Sequence, residues 1–154
     1  GRKGRRIEEG RQVTRRMIVA ALALAGLFVA MYLWLYKLGM VGTLSCKVGN
    51  CEKVNTSPWA VLFGVPVAFW GVLYYVAMFA VAFTSTLERF ATDRRAAIVL
   101  AVLAGWGVLF SAWLTYLELA VIHAICQWCV VSAVIVVIIF ALAVAELRAK
   151  PSPG

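Results

Sequence analysis

Four thiols carry the reactive chemistry of this chain. Cys46 and Cys51 have four residues between them, and Cys126 and Cys129 bracket Gln127 and Trp128. A Cys-x-x-Cys pair serves either redox exchange or metal binding. On a helix, residues three apart share a face, with Cβ atoms about 5–6 Å apart. That is within reach of a disulfide, whose Cα atoms sit roughly 4.4–6.8 Å apart. The address of the pair narrows the choice. It lies near one end of the last long apolar run, Leu119 to Val144, where His123 is the only other ionisable side chain. A dithiol at the edge of a lipid-embedded helix faces water-borne thiols on one side and a lipid-soluble oxidant on the other.

The elements that must hold these thiols are apolar helices. The chain has 154 residues and is 64% hydrophobic, with a mean hydropathy of +0.90. A soluble domain averages about 45–50% apolar residues. Runs of about 20 apolar residues are long enough to cross about 30 Å of hydrocarbon. The expected fold class is therefore all-α: an integral membrane four-helix bundle with an extracytoplasmic loop segment that bears cysteines. The net charge of +8 reads as basic cytoplasmic loops rather than a nucleic-acid surface. The first apolar run has no small-residue cleavage pattern after it and is expected to stay as a span. The chain begins at Gly1 rather than Met and is expected to be a processed form or a fragment.

Residues 1–16 form a basic arm with seven of the fifteen Lys and Arg residues, expected as a solvated cytoplasmic tail near anionic lipid heads. A four-helix domain is expected over 17–146, with helices at about 17–36, 59–84, 96–117 and 119–144. Residues 147–154 would be a cytoplasmic tail or a truncated linker. Gly39, Gly42, Gly49 and Asn50 mark the segment 38–57 as turn-rich. Ser57-Pro58 has the form of a helix start. Pro66 would then lie inside the second helix and kink it. Gly64 and Gly71, seven apart, would admit a neighbouring helix or a flat ligand. Glu118 is read as a very short link between the third and fourth helices.

Charge sets the orientation. With the N-terminus in the cytoplasm, twelve Lys and Arg residues fall inside and three (Lys37, Lys47, Lys53) outside. The positive-inside rule favours four spans with both termini cytoplasmic, hence a multi-pass protein of the inner (cell) membrane. All four cysteines then lie on the extracytoplasmic side, which permits disulfides. Four cysteines allow three pairings. One pair in a loop and one on a helix suggest a relay by thiol–disulfide exchange. Structural disulfides and a four-Cys zinc site are the alternatives, and no metal is expected.

Taken together, Cys46, Cys51, Ser57, Trp59, Phe63-Gly64, Pro66, Gly71 and Cys126-Gln-Trp-Cys129 resemble the vitamin K epoxide reductase family in its bacterial form, over about Met17 to Val144. The resemblance implies a helical bundle around a quinone, of the menaquinone, ubiquinone or phylloquinone type, beneath a loop cysteine pair. It implies that Cys46 meets a thioredoxin-like (DsbA-like) partner, that Cys51 exchanges with Cys126, and that Cys129 lies nearest the quinone. Ser57, Trp59, Phe63, Gly64, Pro66 and Trp128 are the expected quinone-pocket residues. Many bacterial relatives carry a fused thioredoxin-like domain. None stands in these 154 residues, so the partner is expected in trans or as a lost fused domain. In the vertebrate enzymes an Asn on the second helix and a Tyr after the Cys-x-x-Cys bind vitamin K. Val67 and Ala133 stand at the corresponding places here, which favours ordinary quinone reduction over epoxide reduction. The main rival is the DsbB family, which does the same work with the two pairs in the reverse order. A non-catalytic membrane protein locked by disulfides is the rival of another class. His123 reads as a structural or solvated side chain, and Trp128 as either a ring that stacks on quinone or an interfacial anchor.

Overall fold

A computed structural model describes residues 2–40, 42, 53, 56, 58, 61–86 and 94–148. Cys46, Cys51, Ser57 and Trp59 lie outside them. Four long helices build the fold: α1 (Arg2–Lys37), α2 (Val67–Thr84), α3 (Arg94–Tyr116) and α4 (Gln127–Arg148). Each contains a stretch long and apolar enough to cross a membrane: Gly10–Lys37, Val67–Thr84, Arg94–Ile122 (α3 with the turn after it) and Gln127–Arg148. The chain is thus an all-α membrane bundle with four candidate spans. The helix α1 packs along α2 and α4, and α3 packs along α4, while α2 and α3 meet over a smaller contact. Small residues lie where helices meet: Ala20, Ala23, Ala30, Ala82, Ala104 and Ala143 are in the core with Met78, Leu100 and Ile139. Without a water-driven hydrophobic term in lipid, such close backbone approach and side-chain interlock hold the helices together.

The helix bounds correct the sequence reading in four places. The first helix starts at Arg2, not at 17, so the basic arm is helical. The arm is also tied down at its inner end. Arg16 is 1% exposed. Its Nε donates to Glu146 Oε1 at 2.6 Å and its Nη1 donates to the Ser85 carbonyl at 2.7 Å. One arginine thus pins the C-terminal ends of α2 and α4 to α1. The second helix starts at Val67, not at 59. Ahead of it Val61–Leu62 (β1) and Val65–Pro66 (β2) pair antiparallel, Val61 opposite Pro66 and Leu62 opposite Val65. The two-residue turn between them is Phe63 and Gly64, with φ of +54° and +77°. Two positive φ values in a two-residue loop match the twist of a hairpin. Pro66 is consequently the residue before the helix rather than a kink within it. Trp70 Nε1 donates to the Leu62 carbonyl at 3.1 Å and holds the hairpin on the first turn of α2.

The third correction concerns the end of α3. Its backbone widens at Tyr116 into a π-helical turn, Leu117–Ile122, and stops at His123, whose φ of +57° is left-handed. The fourth follows from it. Helix α4 begins at Gln127 rather than at 119, so Cys126 lies just ahead of the helix and not on it.

Candidate active site

The site is assembled where α3 hands over to α4. Glu118 sits in the π turn and is 4% exposed. Its carbonyl accepts the N–H of His123, which closes the turn, and the N–H of Ala124 at 3.0 Å. Its Oε2 accepts the N–H of Cys126 at 3.3 Å. A single residue thus fixes the reversal from both its main chain and its side chain. Cys126, fully buried, takes the position of a helix cap. Its carbonyl accepts the N–H of Val130 at 3.0 Å, and its Sγ accepts the N–H of Cys129 at 3.3 Å. A side-chain acceptor at this position satisfies one of the orphan N–H groups of the first helical turn. Cys126 and Cys129 are both thiols.

The two sulfurs face different surroundings. Cys126 and Leu33 form a buried cluster against which Tyr32, Tyr36, Ile122, Trp128 and Cys129 pack. Cys129 lies in the wall of a cavity of about 610 Å³ lined by all four helices. Cavities of roughly 300–1,000 Å³ are those that take small molecules. Its sides are Trp70, Leu73, Tyr74 and Ala77 of α2, Leu103, Trp106, Gly107 and Phe110 of α3, and Val29, Ala30 and Leu33 of α1. Leu62 and Phe63 of the hairpin are also in the lining. Polar groups are few and gathered: Glu118, Cys129 and Ser132, with Ser111 and Thr115 on α3. Tyr74 donates its hydroxyl to the Leu103 carbonyl at 2.8 Å, and the Tyr75 hydroxyl lies 2.6 Å from Ser132 Oγ. Aromatic walls with a small polar end suit a flat ring bearing carbonyl groups and an apolar tail, which is the chemistry of a quinone.

Among the residues expected in the quinone pocket, Phe63 lines the cavity, whereas Gly64, Pro66 and Trp128 are not in its lining. Trp128 instead meets Tyr32 edge-on, with ring centroids 5.5 Å apart. Gly71, Val67 and Ala133 do line it. His123 is exposed at the left-handed end of the π turn. The residue missed is Glu118. Its signal was present, since an ionisable residue within an intramembrane run marks function by default.

Fold and site together define a class: a membrane helical bundle that sets one sulfur of a Cys-x-x-Cys pair in the wall of an apolar, ring-sized cavity. Residues 17–144 match the vitamin K epoxide reductase family, and the chain belongs to that family. It is accordingly a quinone-dependent thiol–disulfide oxidoreductase.

Proposed function

We propose that the chain is a bacterial enzyme that supplies disulfides to exported proteins. A thioredoxin-fold partner, in trans or as a fused domain, passes two electrons to the Cys46–Cys51 disulfide. Cys46 meets the partner, and Cys51 then exchanges with Cys126. The Cys126–Cys129 pair is left as a dithiol, which transfers its electrons to a quinone. The single observation that supports this order best is the unequal exposure of the two sulfurs to the cavity. Cys129 is in the cavity wall and Cys126 is not. Val67 and Ala133 in the lining offer a ligand carbonyl no polar side chain, which favours quinone over epoxide as the acceptor.

Charge supports the orientation. The Arg16–Glu146 pair marks the helix end that also carries Arg2, Lys3, Arg6, Arg11 and Arg15, with Arg94, Arg95 and Arg148 on the helix termini that share it. Basic residues gather on the cytoplasmic side of membranes. The opposite end, with the cavity's polar groups and the Cys-x-x-Cys, is then extracytoplasmic.

The test is reconstitution of the purified chain with a reduced thioredoxin-fold protein and a short-chain quinone, with quinone absorbance followed. Quinone loss should depend on both proteins and be abolished by Cys126→Ala or Cys129→Ala. Cys46→Ala should block turnover with the protein partner but leave reduction driven by a small dithiol. Quinone reduction that survives Cys129→Ala would remove the proposal.

A further inference from the structure

A dithiol that reduces a quinone must move protons as well as electrons. Closing the Cys126–Cys129 disulfide breaks two S–H bonds and forms one S–S bond. Two electrons and two protons leave the sulfurs and are delivered to the quinone, giving a quinol. The attacking species is the thiolate, so the proton on Cys129 must be taken up inside an apolar chamber. Among the described residues, the titratable groups facing the cavity are Tyr74, Tyr75, Glu118 and Cys129 itself. Tyr74 is committed to the Leu103 carbonyl and Tyr75 to Ser132. Glu118 remains: it shares the cavity wall with Cys129, and its Oε2 accepts the N–H of Cys126, whose Sγ accepts the N–H of Cys129.

We propose that Glu118 is the proton-transfer group of the site: its carboxylate takes the Cys129 thiol proton and returns it to a ring oxygen in the same cavity. The proposal rests on the quinone reading above and adds a residue to it. Glu118 also caps the chain reversal through the Cys126 N–H. Capping alone does not require a titratable group, because the amide oxygen of glutamine accepts the same bond. Nor does capping require the residue to share a cavity wall with Cys129.

Two measurements on the full-length protein test this. In single turnovers of the reduced protein with a short-chain quinone, Glu118→Gln should slow disulfide closure about 100-fold, within the range general acid–base groups contribute. The quinone KM should stay within twofold, and Glu118→Asp should recover part of the rate. The second readout needs no quinone. With Cys129 as the sole thiol (Cys46→Ala, Cys51→Ala, Cys126→Ser), the infrared S–H stretch should be displaced by its charged acceptor and move back in Glu118→Gln. Should the glutamine variant not fold, the Glu118 protein alone decides, since its S–H band, identified by loss in Cys129→Ser, must lie away from that of a solvated thiol. Turnover of Glu118→Gln within threefold of wild type, or an undisplaced S–H band, overturns the proposal. Absence of quinone reduction in the wild-type chain would instead fall on the relay reading, because the infrared result does not depend on it.

Discussion

Cys126 does two jobs that its sequence context does not separate. In the proposed relay it is a redox sulfur, and that sulfur is also the acceptor that caps α4 through the N–H of Cys129. Loss of an oxygen cap costs about 0.5–2 kcal/mol, and sulfur is a weaker acceptor. Cys126→Ser should therefore keep the helix start and unfold at or above the wild-type temperature, while Cys126→Ala unfolds below Cys126→Ser. Both should lack turnover. Thermal unfolding in detergent would check the order, and an alanine variant at least as stable as the serine variant would contradict the capping role. At this scale the thiols and their spacing were legible, because no other residue type offers that chemistry. Glu118 was passed over despite its signal, because a carboxylate between two apolar runs also reads as a short link between helices. Only the π turn brings it inward, to 4% exposure.

The four long helices were legible; their ends, the hairpin before α2 and the π turn after α3 were not. Apolar length alone marks four spans, and the described residues hold four candidate spans. The start of α2 was misplaced because hydropathy cannot distinguish Val-Leu-Phe-Gly-Val-Pro folded back on itself from the same residues in a helix. The difference lies in two positive φ values, one of them at Phe63, where a non-glycine residue is uncommon. Side-chain interlock between elements leads to a prediction about the cavity. A Cβ at Gly107 would overlap the Tyr74 hydroxyl, which is bonded to the Leu103 carbonyl. Gly107→Ala must push that ring into the cavity both residues line. The expected result is a several-fold rise in quinone KM with alkylation of Cys129 by a small reagent unchanged. At Gly26 a Cβ would meet the Tyr75 ring, where α1 and α2 touch. Overpacking of this kind costs typically about 1–3 kcal/mol, so Gly26→Ala should lower thermal stability.

Across the whole molecule the two ends of the bundle are built differently. The end opposite the dithiol is locked by Arg16, Glu146 and the Ser85 carbonyl, which join α1, α2 and α4. A buried pair that loses one partner costs about 3–5 kcal/mol, whereas replacing both by apolar residues is often neutral. Glu146→Ala should thus lower the unfolding temperature markedly, and Arg16→Leu with Glu146→Leu should restore most of it. This lock was hidden in the sequence, since Arg16 closes a run of basic residues that reads as a solvated tail. The charge asymmetry along the chain was legible as a count and needs no structure. What joins the scales is the claim that electrons leave the protein from Cys129, the sulfur in the cavity wall, and not from Cys126. The most direct test is the visible spectrum of the two single-cysteine replacements with quinone added. Cys126→Ala leaves Cys129 unable to re-pair, and should show a broad visible absorption band that requires both quinone and Cys129. Cys129→Ala should show none and should accumulate a Cys51–Cys126 disulfide. A band present in Cys129→Ala and missing in Cys126→Ala would contradict the assignment of Cys129 as the terminal donor.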